Sequence, residues 1–258
     1  PDEPASADPG PAAEKADAKP IAEPEVVEAP EETPAITGLK PAGPVEPDGP
    51  AAAETKTGMS VLVCPTKAKL EQTSGSKLRT ITFDDIETES LGFVGFKANR
   101  YAASHGIIIT GKDGQYADDT FGWDEKLNAV SPPSMYAPGP RSVRPDTGGN
   151  STVVTFTAGG KPAATSAFGV YLIDADHPEQ GQSSVTIHGK DGKVLAKKNV
   201  TGGNEQQVFT GFVTRGNTGM PVAAIYSVTI INGSGWVGGK ETEVVLIDDM
   251  VFSPPGPE

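Results

Sequence analysis

The sequence predicts an all-β protein, an antiparallel two-sheet sandwich of the jelly-roll type, preceded by a disordered Pro/Ala/Glu-rich tail. Three observations favour this class. Prolines, alanines and acids crowd the first 60 residues. After about residue 75, short runs of Val, Ile, Thr, Phe and Tyr alternate with a period of two. Gly, Asn and Asp separate these runs, as turns do in sandwiches and jelly rolls, and the chain holds 31 glycines.

Residues 1–60 are predicted to form a disordered acidic spacer. They hold 12 of the 24 prolines and 13 acids against 4 lysines, and they contain no aromatic residue. So little apolar side-chain area cannot offset the entropy lost on ordering. Spaced prolines and like charges extend such a chain. We therefore expect a stiff arm, which carries −9 of the net charge of −13 and leaves the folded part close to neutral.

Residues 61–76 are predicted to be either a linker or an extra edge strand, because "MSVLVC" is apolar and β-prone. Cys64, the sole cysteine, is expected to be a small apolar residue within that strand. A single cysteine excludes an internal disulfide and a multi-Cys metal site. The sandwich itself is predicted to cover residues 77–254.

Nine segments of the folded part are predicted strands, since they combine β-prone residues with alternation. "HGKDGKV" reads as a tight hairpin turn, in which Gly192 supplies the positive φ. No window has a convincing helical period. The predicted strands are Leu78–Ile86, Ile107–Gly111, Thr152–Thr157, Ala167–Ile173, Ser184–His188, Val194–Val200, Gln207–Thr214, Ala224–Ile231 and Val244–Phe252.

The irregular segment 113–150 is the longest predicted loop, and a loop of this length is typical of a functional site or a mobile segment. It concentrates aromatic residues and acids in a chain that is only 6% aromatic. Trp236 lies in a second candidate loop, the glycine-rich "NGSGWVGG".

Adjacent aspartates interrupt the first and the last predicted strands, in "TITFDDIE" and "EVVLIDDMVF". Neighbouring strand residues point to opposite faces, so one aspartate of each pair must lie among apolar side chains. A buried carboxylate needs a cation or several hydrogen-bond donors. No Arg or Lys lies within three residues of Asp248. Two explanations stay open: Ca²⁺ held by oxygen ligands, or a structural role in which one aspartate caps a turn or pairs with a distant Arg.

The stretches "TITFDDIE", "NRYAASHGIIITG", "SPPSMYAPG" and "VVLIDDMVF" resemble the galactose-binding-like jelly rolls of bacterial exported and cell-surface proteins. The resemblance covers about residues 78–253. In the related calcium-containing carbohydrate-binding modules, an acid near the first strand and the acid of the closing Ile-Asp pair ligate a structural Ca²⁺. The candidate metal ligands implied here, all acids, are Asp84, Asp85, Asp118, Asp119, Asp248 and Asp249.

A carbohydrate-binding module is the first function hypothesis, because flat aromatic faces stack on sugar rings and carboxylates bind their hydroxyls. For each ring the alternative role is covering an open end of the sandwich. The second hypothesis is a structural or assembly subunit of a surface layer, fibre or larger exported complex. The expected partner is therefore carbohydrate or another surface protein. The candidate ligand-binding residues are Tyr116, Trp123, Asp124, Tyr136 and Trp236.

Other function classes are disfavoured. An acidic chain without a basic stripe is a poor nucleic-acid binder, and no run approaches the roughly 18 apolar residues of a transmembrane segment. No two histidines have ligand spacing and no G-x-S-x-G motif is present, so we assign no catalytic residue and expect no enzyme. Low cysteine content with an Ala/Pro/Glu spacer favours a bacterial exported protein, extracellular, on the cell surface or periplasmic.

Overall fold

A computed structural model describes residues 58–88, 93–112, 114–118, 130–131, 135–137, 151–175, 182–203, 206–232, 236–237, 240–241 and 245–257. Most of the predicted acidic spacer, residues 1–57, lies outside these ranges. Neither helix of the described chain is long or apolar enough to cross a membrane.

Strands dominate the described residues. The helices are α1 (Lys67–Ser74) and α2 (Ala102–His105). The strands are β1 (Ser60–Cys64), β2 (Arg79–Ile81), β3 (Phe93–Gly95), β4 (Ile107–Gly111), β5 (Tyr116–Asp118), β6 (Met135–Ala137), β7 (Ser151–Ala158), β8 (Lys161–Pro162), β9 (Ala167–Ile173), β10 (Ser183–His188), β11 (Val194–Val200), β12 (Gln207–Arg215), β13 (Ser227–Ile231), β14 (Trp236–Val237), β15 (Lys240–Glu241) and β16 (Leu246–Phe252).

The strands form two antiparallel sheets and a small hairpin. The large sheet has the order β1-β12-β9-β16-β6-β5-β3, and β2 also pairs with β16. The small sheet has the order β11-β10-β13-β7-β4, with β8 on β7, and β14 pairs only with β15. β2, which lies within the first predicted strand, and β16, the last one, are thus hydrogen-bonded neighbours, because Ile81 pairs with Met250 and Arg79 with Phe252. The predicted all-β sandwich class is confirmed.

Apolar side chains from both sheets meet in one core. Phe168, Phe212 and Phe252 of the large sheet are fully buried, as are Ile187 and Ile230 of the small sheet. Burying a side chain of this size stabilises a fold by about 1.5–3 kcal/mol. The alternation seen in the sequence therefore marks which face of each strand enters the core.

Several predicted strands are confirmed with their bounds, among them Ile107–Gly111, Ala167–Ile173 and Val194–Val200. The predicted hairpin turn is confirmed too: Gly192 has φ 73° and joins β10 to β11. The first predicted strand, Leu78–Ile86, is wrong beyond Ile81. Phe83 adopts a left-handed φ of 64° and turns the chain out of the sheet.

Residues 61–76 form part of the large sheet and a helix packed on it. Of the two predicted alternatives, an edge strand or a linker, the structure has the edge strand. β1 pairs with β12 along all five residues. Cys64 is fully buried there, as predicted. Helix α1 follows, capped by the Thr66 side chain, which accepts a hydrogen bond from the Lys69 backbone N–H, and terminated by Gly75 at φ 67°.

Helix α1 covers the outer face of the large sheet through a single leucine. Leu70 is fully buried with Val213 and Val251. Two glycines make room for it: a Cβ on Gly169 would lie 2.9 Å from Leu70 Cδ2, and a Cβ on Gly211 would lie 3.2 Å from Leu70 Cδ1. The helix therefore sits close to the backbone of β9 and β12 because these strands lack side chains at the contact.

Candidate functional site

The closing aspartate pair forms a β-bulge in β16. This strand pairs with β9 up to Asp248, opposite Tyr171, and resumes at Val251, opposite Gly169. Asp249 has φ 42° within the bulge. On its other edge, β16 changes neighbours at the same place, from β6 at Ile247 to β2 at Met250. A bulge breaks the ladder and redirects side chains, so the pair stands where the strand exchanges one partner for another.

Donors surround the fully buried carboxylate of Asp248. Its Oδ2 accepts the backbone N–H groups of Val130 at 2.7 Å and Ser131 at 3.0 Å. Its Oδ1 accepts the N–H of Asp249 at 2.7 Å, with the Ser131 hydroxyl 3.3 Å away. These bonds satisfy a group that would otherwise be costly to bury. These hydrogen bonds also connect residues 130–131, which precede β6, with strand β16.

Burial raises the pKa of Asp248 to about 6. The backbone N–H groups of Ser131, Asp249 and Val130 act against this rise, and the neighbouring charge of Asp249 adds to it. Desolvation outweighs hydrogen bonding here, and no cation of the described residues pairs with this carboxylate.

Asp249 pairs with a distant base. Lys67 Nζ lies 3.0 Å from its Oδ2, and the Ser131 hydroxyl donates to its Oδ1 at 2.7 Å. Lys67 begins helix α1, so the ion pair joins the helix to the closing strand across 182 positions of sequence. Structural pairing is therefore observed for Asp249, with a distant Lys in place of the predicted distant Arg. Lys67, Ser131, Asp248 and Asp249 together are called the bulge cluster below.

The opening aspartates lie in the turn after β2. Asp85 accepts hydrogen bonds from Arg100 Nε at 3.2 Å, Arg100 Nη2 at 3.1 Å and the Tyr101 hydroxyl at 2.6 Å. Burial, followed by the hydrogen bond to Asp85, raises the pKa of Tyr101. Asp84 is partly buried beside it. This arrangement fastens the turn to the chain that enters α2.

The acids that the structure describes do not fit calcium. No group of three or more Asp, Glu, His or Cys side chains is placed to hold a metal in this part of the chain. Both oxygens of Asp248 face N–H donors, whereas calcium requires lone pairs directed at the ion from several oxygens. Asp119 lies outside the described residues, as does the side chain of Asp118. A calcium site involving those two acids stays a prediction.

The predicted ligand-binding residues fall into three groups: one is buried, one lies at the surface, and three have side chains outside the described residues. Tyr136 needs a correction: its ring is fully buried against Phe83 and Phe96, and Thr152 donates to its hydroxyl, so it serves the core. Trp123 and Asp124 lie outside the described residues. Trp236 is in β14, but its side chain is also outside them.

Tyr116 is the predicted aromatic residue that the structure places at the surface. Alternation along β5 buries Ala117 in the core and turns Tyr116 to the outer face of the large sheet. The partly exposed ring lies against two glycines: it is 3.1 Å from the Cβ position of Gly95 on β3 and 2.8 Å from that of Gly114. The ring can approach the backbone this closely because neither position carries a side chain.

Sequence reasoning missed three residues that hold the site together. Lys67 and Ser131 lie far from the closing aspartates in the sequence, and no local pattern marks them as partners. Arg100 lies within the "NRYAASHGIIITG" stretch, where its position beside Tyr101 is a weak signal.

Comparisons with known proteins place the chain in no family. No family model matches it, and no curated protein matches it. One similar solved structure is the enzymatically active domain of bacteriophage CBA120 tailspike protein 4, with 12% identity and a TM-score of 0.29, covering 63% of this chain and 21% of that one. Another is the K1 cleaved adhesin domain of Lys-gingipain from Porphyromonas gingivalis, with 11% identity and a TM-score of 0.28, covering 70% and 99%. Similarities this low support no conclusion about function.

Proposed function

We propose that this chain is a non-catalytic extracellular or cell-surface module that binds carbohydrate on the outer face of its large sheet. The observation that carries the proposal is the position of Tyr116, whose partly exposed ring lies against Gly95 of β3 and against Gly114. A rigid strand holds the ring, so little side-chain entropy is lost on binding.

The chemistry suits a sugar. The apolar face of a pyranose ring stacks on a flat aromatic ring, and its hydroxyl groups bind carboxylates. Asp118 follows Tyr116 by two residues on β5, so its position is on the same face of the strand. Trp123 and Asp124 follow shortly after in the sequence and supply the same two chemical groups.

A glycan array probed with the full chain tests this proposal. We expect binding to a defined set of glycans, a loss of that binding in Tyr116→Ala, and its retention in Tyr116→Phe, which keeps the ring. Trp123→Ala tests whether the adjoining segment contributes. An unchanged melting temperature in each variant serves as the control for folding. Equal binding by wild type and Tyr116→Ala would refute the role of this residue, and an empty array would refute the proposed ligand class.

The alternative is a structural or assembly subunit of a surface layer, a fibre or a larger exported complex. Its support is an apolar strand, β1, at one edge of the large sheet. Ordered self-assembly of the purified chain, or constant co-purification with one partner, would favour this function over carbohydrate binding.

A further inference from the structure

In the part of the chain that the structure describes, three of the four edges of the two main sheets are protected against further strand pairing. The backbone N–H groups of Ile107 and Ile109 on β4 donate to the carbonyls of Tyr101 and Ala98, at 3.4 and 2.9 Å, so the preceding segment covers that edge. The edge strand β11 carries exposed lysines, and β3 has only three residues. Covering, lysines and short length are the usual means by which native sheets avoid edge pairing.

The fourth edge, β1, has none of these protections among the described residues. It pairs with β12 over five residues without a register shift, and no other described strand pairs with it. Its sequence, SVLVC, contains no charge and no proline. A regular, uncharged and β-prone edge strand is a template for another strand.

The side chains of β1 add an apolar surface to this edge. Val61 packs against the core between the sheets, and Val63 shares its face by alternation. Val63 is nonetheless 43% exposed. The small sheet ends at β11, and this strand contacts β12 of the large sheet. β1 lies beyond β12 in the large sheet and therefore extends toward the margin of the sandwich. A strand added beside β1 would cover Val63 and continue the large sheet.

We propose that β1 docks against β1 of a second copy of this chain, antiparallel and centred on Leu62, to give a two-fold symmetric dimer. In this register Val61 of each copy faces Val63 of the other, and no charged residue lies in the pairing. The same pairing through β11 would bring Lys197 and Lys198 of two copies together, and like charges opposite each other destabilise a strand pair.

The size of the contact makes this dimer a weak one. A five-residue strand is about 17 Å long, and a contact of that length falls below the roughly 1,200 Å² of a stable interface. The net charge of −13 further opposes association. We therefore expect dimerisation only at high protein concentration, as on a crowded surface, and expect it to increase when salt screens the charge.

Sedimentation velocity of the full chain, from micromolar to millimolar concentration and at low and raised salt, tests the proposal. Val63→Lys puts two lysines on one face of the paired strands, and we expect dimerisation to weaken by about tenfold or more. Val194→Lys is the matched control, since Val194 is 57% exposed on the edge strand β11; it should dimerise as wild type does. A wild type that stays monomeric throughout, or two variants that behave alike, would overturn the proposal. Dimerisation through β1 does not depend on carbohydrate binding, so each of the two proposals can fail without the other.

Discussion

Replacing Asp248 by Asn should remove a pH dependence from the stability of this fold. Asp248 is fully buried, and burial raises its pKa from 3.8 to about 6. The folded state therefore binds a proton more tightly than the unfolded state does. Between pH 4 and 6 the folded chain holds the extra proton, so the free energy of unfolding falls as the pH rises through this range.

The magnitude follows from the two pKa values. A difference of about 2 pKa units corresponds to about 3 kcal/mol, at roughly 1.4 kcal/mol each. Asn does not titrate, so the free energy of unfolding of wild type should fall by about 2–2.5 kcal/mol relative to that of Asp248→Asn between pH 4 and pH 7, since part of the change lies below pH 4. Asn will also destabilise the fold at every pH by about 1–3 kcal/mol, because its NH₂ group must face an N–H donor in the bulge cluster.

Urea denaturation of both proteins at a series of pH values measures this difference. Asp191→Asn is the control, since Asp191 lies in the exposed turn between β10 and β11. A constant difference between wild type and Asp248→Asn would refute the reasoning. A difference of the opposite sign would show that the three N–H donors outweigh desolvation.

Further predictions concern the packing of α1 and the content of metal. Gly169→Ala should destabilise the fold by about 1–3 kcal/mol, because its Cβ would lie 2.4 Å from the Phe209 ring; Gly256→Ala, which has open space around it, should be nearly neutral in the same denaturation assay. Lys67→Ala should cost about 1 kcal/mol after allowance for its partial exposure, whereas Lys69→Ala, outside the bulge cluster, should cost less. Because Asp248 already accepts hydrogen bonds on both oxygens, Asp248→Asn should leave any bound calcium unchanged in atomic absorption; a loss of calcium would place the ion at the bulge.

The longer strands were predictable because each has a side facing the core. Apart from β2, the strands of two or three residues were not, and two of them, β5 and β6, lie within the predicted loop 113–150. Alternation in segments such as Ser227–Ile231, where Val228 and Ile230 are buried between half-buried neighbours, is imposed by the two faces of the sheet, and it is visible without knowledge of the partner strand. Helix α1 was not predictable, because it buries little more than Leu70, and one leucine in eight residues gives no helical period. Its position depends on glycines of β9 and β12, far away in the sequence.

The aspartate pairs show the same limit at the site. Their sequence context predicts that buried carboxylates need a counter-charge or donors, and the bulge cluster supplies both. Which of the two serves each acid depends on long-range contacts: Asp249 has Lys67, and Asp248 has backbone N–H groups. The positive φ of Phe83 was not predictable from the sequence either, since bulky residues rarely adopt it.

Titration of the Asp248 carboxyl carbon by NMR, with and without calcium, tests most directly whether hydrogen-bond donors alone hold this buried acid. A midpoint near pH 6 that calcium leaves in place is the predicted result. A midpoint below about 4, the ordinary range of an aspartate, or one that moves when calcium is added, would contradict it.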